Sequence, residues 1–458
     1  MSEAVIKKKG HPAGFWLVST LQIFERFNYY GMRGLLMLFL TTTAIKGGLG
    51  LDTVTAATIY STFTMSAYFI PLLGGYIADS FLGKRNTFFI GSILIAIGTF
   101  MLFITNTKTM LYGALFFLAM GNGLWKPNIT SIVGDFYDNN DPRKDGAYSI
   151  FYTFINMGAF LAPLICGAVA EKMFAETNGT EIISYGYRYG FLTASIGMLI
   201  GTVIYILLGK KYLGDVGKYD ASKKQAKDLN NSQKQPLTKD EKKRVFAICA
   251  LSFFVVVFWA AFEQAGSSLT IYTNDYINRN VGGFEVPTSW FQSINPFLCM
   301  VLGPIFAMWF VKLSKREKGD IPTATKMGYG LIILGIGFGL MAGAALQRGN
   351  STDIAIKANI LWLFGAYTMH TVGEMFLSPV GLSMVSKLAP KQIAAVMMGV
   401  WLFATGVGNY IAGMSAAFVE SWGGLQVFGL VTAITIGSGI LLCALSPMFQ
   451  KIMVLDNE

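Results

Sequence analysis

The stretch GFWLVSTLQIFERFNYYGMRGLLMLFLT, residues 14 to 41, is apolar over most of its length yet carries Glu25, Arg26 and Arg33 within three turns. It exceeds the roughly 20 residues a helix needs to cross the hydrocarbon of a bilayer. An ionised side chain near the bilayer centre costs about 2.5 to 3.5 kcal/mol on insertion scales, so these three must face protein or a water-filled cavity. On a helix, positions 22, 26, 29 and 33 follow the i, i+4, i+7, i+11 series, and 25 and 30 flank them. Gln22, Glu25, Arg26, Tyr29, Tyr30 and Arg33 therefore share one face, while Phe24, Phe27 and Met32 point elsewhere. A polar stripe on a spanning helix fits an ion-pair network between helices or the wall of a cavity.

The rest of the chain is of the same kind. Of 458 residues, 53% are hydrophobic and 14% charged, with a mean hydropathy of +0.50. Soluble domains carry roughly 25% charged residues, so the class is an all-α polytopic membrane protein. Apolar runs of spanning length fall near 14–41, 53–77, 86–105, 110–133, 146–170 and 187–208. They resume near 245–273, 288–312, 324–346, 356–386, 393–416 and 424–448. The pattern predicts about twelve helices in two bundles of six, 1–208 and 245–458. The interval 209–244, rich in Lys, Asp, Asn and Gln, has the composition of a solvated tether.

The formal charge of +10 reports orientation and not nucleic-acid binding. Lys7, Lys8, Lys9, Lys84, Arg85, Arg143, Lys144, the linker lysines, KLSKREKGD (312–320), Lys387, Lys391 and Lys451 occupy alternate loops. The positive-inside rule places those loops and both termini in the cytoplasm. The first apolar segment is too long and too charged for a signal-peptide core, so it reads as a retained span. NGT (178–180) and NST (350–352) on the opposite loops match a glycosylation acceptor, a short pattern that often occurs by chance. Cys166, Cys249, Cys299 and Cys443 lie in apolar runs without a C-x-x-C spacing and read as small core side chains. With two histidines, His11 and His370, no metal site is expected.

Partners for the stripe lie in other spans: Lys126 in GNGLWKPN (121–128), Glu263 in FWAAFEQAGSS (258–268) and Glu374 in HTVGEMFLSP (370–379). Three cations, Arg26, Arg33 and Lys126, thus face three carboxylates, Glu25, Glu263 and Glu374, spread over both halves. Cations of one bundle paired with anions of the other would make bridges that form and break as the halves rock. A cavity with one basic and one acidic wall also suits a zwitterion, with arginine forking a carboxylate and a glutamate holding an ammonium. Such carboxylates can relay protons. His370, four residues before Glu374, shares its face and reads as an interface histidine. Gly75, Asp79, Gly83, Lys84 and Arg85 in GYIADSFLGKR follow a G-x-x-x-D-x-x-x-G-K-R pattern, which resembles the cytoplasmic-loop motif of the major facilitator superfamily.

With these motifs in hand, the chain resembles the proton-dependent oligopeptide transporters of that superfamily. ERFNYYG (25–31) is similar to the end of their E-x-x-E-R-F-x-Y-Y-G signature and FYTFINMGAF (151–160) to their fifth-helix signature. GNGLWKPN, WFQSINP (290–296) and GEMFLSPVGLSMVSKLAP (373–390) match further blocks. The resemblance implies that Arg26, Lys126 and Tyr30 engage a peptide carboxylate, and that Asn156, Asn295 and Glu374 hold its amino group. It implies side-chain pockets lined by Tyr29, Tyr68, Ser378 and Trp401, and bridges Arg33–Glu263 and Lys126–Glu374 that close the outer gate.

Two features depart from the family pattern. The first Glu of the signature is Gln22 here, which cannot take a proton, so coupling is expected to fall to Glu25 and Glu263 with Gln22 as a fixed hydrogen-bond partner. The linker is too polar to add the two extra helices of many bacterial relatives, which leaves a twelve-helix core. The expected activity is proton-coupled import of di- and tripeptides across the plasma membrane, a bacterial inner membrane, by a monomer with protons as the coupling ion and no other cofactor. The alternatives are a peptide uniporter or exchanger without proton coupling, and a carrier of another small amine-bearing or anionic metabolite. A membrane enzyme or a receptor would need a catalytic pair, a phosphate-binding loop or an added soluble domain, and the sequence has none of these.

Overall fold

The computed structural model describes residues 10–138, 141–178, 181–219, 236–316 and 320–453. Lys7, Lys8 and Lys9, the centre of the 209–244 interval and the last two residues of NGT lie outside them. The first half consists of α1 (Ala13–Thr41), α2 (Thr53–Ile77), α3 (Gly83–Ile104), α4 (Lys108–Asp135), α5 (Arg143–Ala168) and α6 (Tyr187–Leu213). The second runs through α7 (Lys239–Phe262), the short α8 (Ser268–Tyr276), α9 (Ile294–Ser314), α10 (Thr323–Gln347), α11 (Leu361–Leu388), α12 (Ala394–Trp422) and α13 (Gly424–Met453). A 3-10 turn, Glu263–Gly266, joins α7 to α8 in one passage, so the described residues make twelve passages, six per half.

Local chemistry sets many of the boundaries. The Asp52 side chain accepts the Thr55 amide at 2.9 Å to start α2, and Thr107 caps α4. Thr238 and Glu241 form a reciprocal capping box at the start of α7. Proline lies inside α2, α4, α5, α9, α11 and α13, as spanning helices allow when neighbours satisfy the freed backbone groups. Among the described residues, eight stretches are long and apolar enough to cross a membrane, and together they contain nine of the long helices. The other three, α1, α4 and α11, carry the stripe, Lys126 and Glu374. Function has diluted the hydrophobicity of these spans.

Each half has its own apolar core. Phe15, Leu36, Phe39, Trp125 and Phe191 belong to the first, and Phe258, Leu334, Phe338 and Phe428 to the second. Helices approach closely where side chains vanish. A Cβ on Gly74 of α2 would lie 2.0 Å from the Gly123 carbonyl of α4, while one on Gly75 would meet nothing within 4 Å. The close approach thus uses Gly74, the neighbour of the motif glycine. Gly83 holds φ +75° where α2 turns into α3, a conformation open to glycine without strain.

The molecule has a basic end and an opposite end. At the basic end Lys84 pairs with Asp135 at 2.6 Å, Arg85 donates to the Gly214 carbonyl at 2.6 Å, and Arg143 to the Gly10 carbonyl at 2.6 Å. At the opposite end the Tyr185 amide donates to Lys46, and Ile277–Asn278 pairs in parallel with Ala358–Asn359. Asn350 spends its side chain there, donating to Gln426 at 2.9 Å and accepting the Leu425 amide at 3.2 Å.

The halves meet along α2 with α12 and along α5 with the segment leading into α9. Cross-half bonds run from Trp290 Nε1 to the Leu164 carbonyl at 2.9 Å and from Ser293 Oγ to the Phe160 carbonyl at 2.8 Å. Thr288 and Ser289 reach Glu171, and Arg33 reaches Glu263. None of these ties lies toward the basic end, where Leu72, Tyr76, Val396 and Met308 are exposed.

Candidate functional site

The stripe of α1 faces the interface between the halves. Its opposite sides seat Phe24 against Gly201 and Phe27 against Gly197 of α6, which fixes the rotation of the helix. Glu25 and Arg26 form a two-pronged ion pair, with Glu25 fully buried and Arg26 8% exposed. Gln22 donates to Glu25 Oε2 at 2.8 Å and accepts from Trp125 Nε1 at 3.1 Å, so both ends of its amide are engaged. The Arg26 guanidinium lies 5.1 Å from the Tyr29 ring centroid and 5.9 Å from that of Tyr30. Seven residues on, Arg33 pairs with Glu263 across the interface, and its Nε donates to the Tyr60 hydroxyl at 3.0 Å.

A polar cavity lies between the halves. From the first half it is lined by Tyr30, Arg33, Tyr68, Tyr152 and Asn156, and from the second by Glu263, Gln292, Asn295, Glu374 and Ser378. A smaller one, which shares Tyr30, Arg33, Tyr68 and Glu263 with it, extends to Arg26, Tyr29 and Lys126. Together they bring thirteen of the fourteen site residues named from the sequence onto or directly behind one wall system, Gln22 and Glu25 standing behind Arg26.

Two expectations need correction. Lys126 and Glu374 form no bridge: Lys126, past the middle of α4 toward the basic end, sits with its ammonium 4.8 Å from the Tyr68 ring centroid. Glu374 instead accepts from Asn295 Nδ2 at 2.8 Å, with the Cys299 thiol 3.7 Å away, and Asn295 also donates to Thr371 at 3.1 Å. Trp401, expected in a side-chain pocket, is 4% exposed and packs where Gly381 of α11 lacks a Cβ. The space beside glycine draws the indole away from the cavity.

The cysteines also divide. Cys166 and Cys299 are buried, Cys443 is half-buried and Cys249 is exposed. His370 stacks on Phe338 at 4.6 Å, and neither ring nitrogen has a partner. Among the described residues no group of His, Cys, Asp or Glu is arranged to hold a metal.

Sequence reading missed Tyr152 and Gln292, which line the cavity. The Asn156 amide donates to the Tyr152 carbonyl at 2.9 Å. Tyr152 precedes Asn156 by one turn within FYTFINMGAF, and Gln292 lies inside WFQSINP, so helical spacing from the named asparagines could have found both.

The charge count of the site is decisive. Two of the three cations and two of the three carboxylates neutralise each other, leaving Lys126 on the first half and Glu374 on the second. A charge in a low-dielectric cavity without a counter-charge is costly, so half-buried Lys126 and buried Glu374 suit a ligand that brings one charge of each sign.

Known proteins of the same build exist. The sequence model described as the POT family matches residues 85–229 and 210–426. The chain is 34% identical to the uncharacterized transporter YclF of Bacillus subtilis (strain 168), covering 97% of this chain and 95% of the relative. It is 30% identical to the peptide transporter YePEPT of Yersinia enterocolitica, over 90% of this chain and 89% of that one. A di-/tripeptide transporter of Lactococcus lactis subsp. cremoris is 29% identical, with 97% of both chains covered. Among solved structures, a peptide transporter POT in complex with sulfate superposes with a TM-score of 0.85 at 30% identity, covering 97% and 96% of the two chains. A POT family transporter in complex with 5-aminolevulinic acid gives 0.84 at 28%, covering 96% and 98%. Family match, relatives and fold agree with the charge-lined cavity between two six-passage halves: the chain is a multi-pass membrane transporter, not an enzyme, and belongs to the POT family.

Proposed function

We propose that this transporter imports di- and tripeptides together with protons across a bacterial inner membrane. The observation that carries the reading is the unmatched pair Lys126 and Glu374, one on each half of a single cavity. A short peptide carries a carboxylate at one end and an ammonium at the other, and its binding would complete both charges while drawing the halves together. Lys126, with Arg26 and Tyr30 beside it, takes the carboxylate. Glu374, Asn295 and Asn156 take the amino end. The Yersinia and Lactococcus relatives, which carry peptide-transporter names, support the same substrate class.

With the basic end in the cytoplasm, as its lysine and arginine loops favour, both termini are cytoplasmic and the cavity opens inward. Rocking of one half against the other around a central site then delivers the peptide. Protons are the coupling ion, carried by Glu25 and Glu263, whose cationic partners would be released when they are neutralised. Gln22 orients Glu25 and takes no proton.

The test is uptake of labelled dialanine into liposomes holding the purified protein, with and without an inward proton gradient and an inside-negative potential. Accumulation above the outside concentration only with the gradient supports the symporter. A second reading, a uniporter or exchanger of peptides, is favoured by one observation: Gln22 occupies, with both ends of its amide engaged, the place of a protonatable group. Equilibration without accumulation selects it, and absence of dialanine flux rejects the peptide class.

A further inference from the structure

The end opposite the basic loops is closed by a carboxylate that no motif singles out. Glu171, in the π-helical turn Val169–Met173 that ends α5, is 3% exposed. Its Oε2 accepts the Thr288 amide at 2.7 Å, and its Oε1 accepts the Ser289 amide at 3.1 Å and the Ser289 hydroxyl at 2.6 Å. Thr288 and Ser289 open the 3-10 turn that leads into α9, so all three donors belong to the other half. The fit is close: a Cβ on Gly167, one turn before Glu171, would lie 1.9 Å from Ser289 Oγ. Glu171 makes no ion pair among the described residues, and two of its three donors are backbone amides.

We infer that Glu171 is a gating residue of the transport cycle, a latch that holds the two halves together at the end opposite the basic loops. Separation of α5 from the start of α9 strips three donors from a buried carboxylate. Bonds to an ionised acceptor are about twice as strong as neutral ones, and a buried charge without donors is strongly disfavoured. The turn can therefore open only as water enters to replace all three donors. Arg33–Glu263 ties the same seam deeper in the protein, between two side chains. The Glu171 latch differs because its partners are mostly main chain: it reads the position of the whole turn, and only a change at Glu171 itself removes it. The inference rests on the reading above in one respect, that the halves separate at this end during the cycle.

Cys299, buried with its thiol 3.7 Å from the cavity-lining Glu374, is a built-in reporter of that separation. Cells producing the full chain are treated with a membrane-impermeant thiol reagent from outside, and labelling of the Cys299 peptide is followed by mass spectrometry. Glu171→Gln keeps the side-chain shape but turns an amide NH2 toward N–H donors. Loss of a hydrogen bond to a charged group corresponds to about a tenfold population shift, so Cys299 in E171Q should label about tenfold faster than in the natural chain. Ser289→Ala removes one of the three bonds and should give a smaller rise, about threefold. Should E171Q fail to reach the membrane, S289A alone decides. Equal labelling rates in the natural chain and the folded variant would overturn the latch. Dialanine influx measured in the same cells separates the two claims: faster labelling without any dialanine transport would retire the peptide reading and leave the latch standing.

Discussion

Arg33 on α1 and Glu263 at the end of α7 meet as an ion pair between the halves, although 230 positions separate them in the chain. The Tyr60 hydroxyl accepts the second donor of Arg33 at 3.0 Å, so the guanidinium is held from both halves at once. The pair consumes one charge of each sign and belongs to the closed seam. What remains for a ligand is Lys126 and Glu374.

Breaking that pair from one side leaves a buried charge without its partner, which costs about 3 to 5 kcal/mol. Glu263→Gln should therefore lower the thermal midpoint in detergent, and Arg33→Met combined with Glu263→Leu should recover much of the loss. In liposomes, E263Q should still equilibrate dialanine but fail to accumulate it under a proton gradient. Full proton-driven accumulation by E263Q would remove Glu263 from the coupling route.

Lys126 and Glu374 should recognise opposite ends of the substrate. Lys126→Gln is expected to raise the half-saturating concentration of dialanine by about tenfold or more, the loss of one charged hydrogen bond, with little change for the C-terminal amide. Glu374→Gln should show the reverse selectivity, losing discrimination against N-acetylated dialanine. Competition against labelled dialanine measures both, and equal losses for every analogue would show that the two residues act through the shape of the cavity.

Neighbouring glycines of α2 should differ sharply. Gly74→Ala drives a Cβ into the Gly123 carbonyl at 2.0 Å, whereas Gly75→Ala meets nothing within 4 Å. Overpacking costs about 1 to 3 kcal/mol. Thermal unfolding should find G74A destabilised by that order and G75A unchanged, with the motif glycine the tolerant one.

At the basic end, Asp141 accepts hydrogen bonds from the Arg143 amide at 2.9 Å and from its guanidinium at 2.6 Å, and the side-chain bonds hold its carboxyl at about 2, below the ordinary 3.8. A lowered carboxylate value means that the contribution is complete above 3.8 and is lost as the pH falls through about 2. The difference in thermal midpoint between the natural chain and Asp141→Asn should stay constant from neutral pH down to the ordinary carboxylate range and shrink below it. A difference that varies near neutrality would point to another titrating group.

Much of this architecture is legible in the sequence because the bilayer simplifies the problem. A spanning helix must be long, apolar and internally hydrogen-bonded, so the passages can be counted and the charged stripe of α1 placed on one face. The same rule marks Glu25, Arg26, Arg33, Lys126, Glu263 and Glu374 as residues that need a partner or a cavity. Which partner each takes is a different matter. Lys126 turns to the ring of Tyr68, Glu374 to Asn295 and Cys299, and Trp401 to the space at Gly381. Gly74, and not the motif glycine beside it, makes the close helix contact, and Glu171 closes the seam from a turn with no recognisable signal. Helical periodicity determines the face of a side chain to within a fraction of a turn. Partner choice across the interface depends on where two six-passage bodies come to rest, to within an ångström or two. That placement is summed from contacts along whole helices, so the sequence alone determined the spans and their charged faces, and only the packed halves decided which charges pair and which stay open for a ligand.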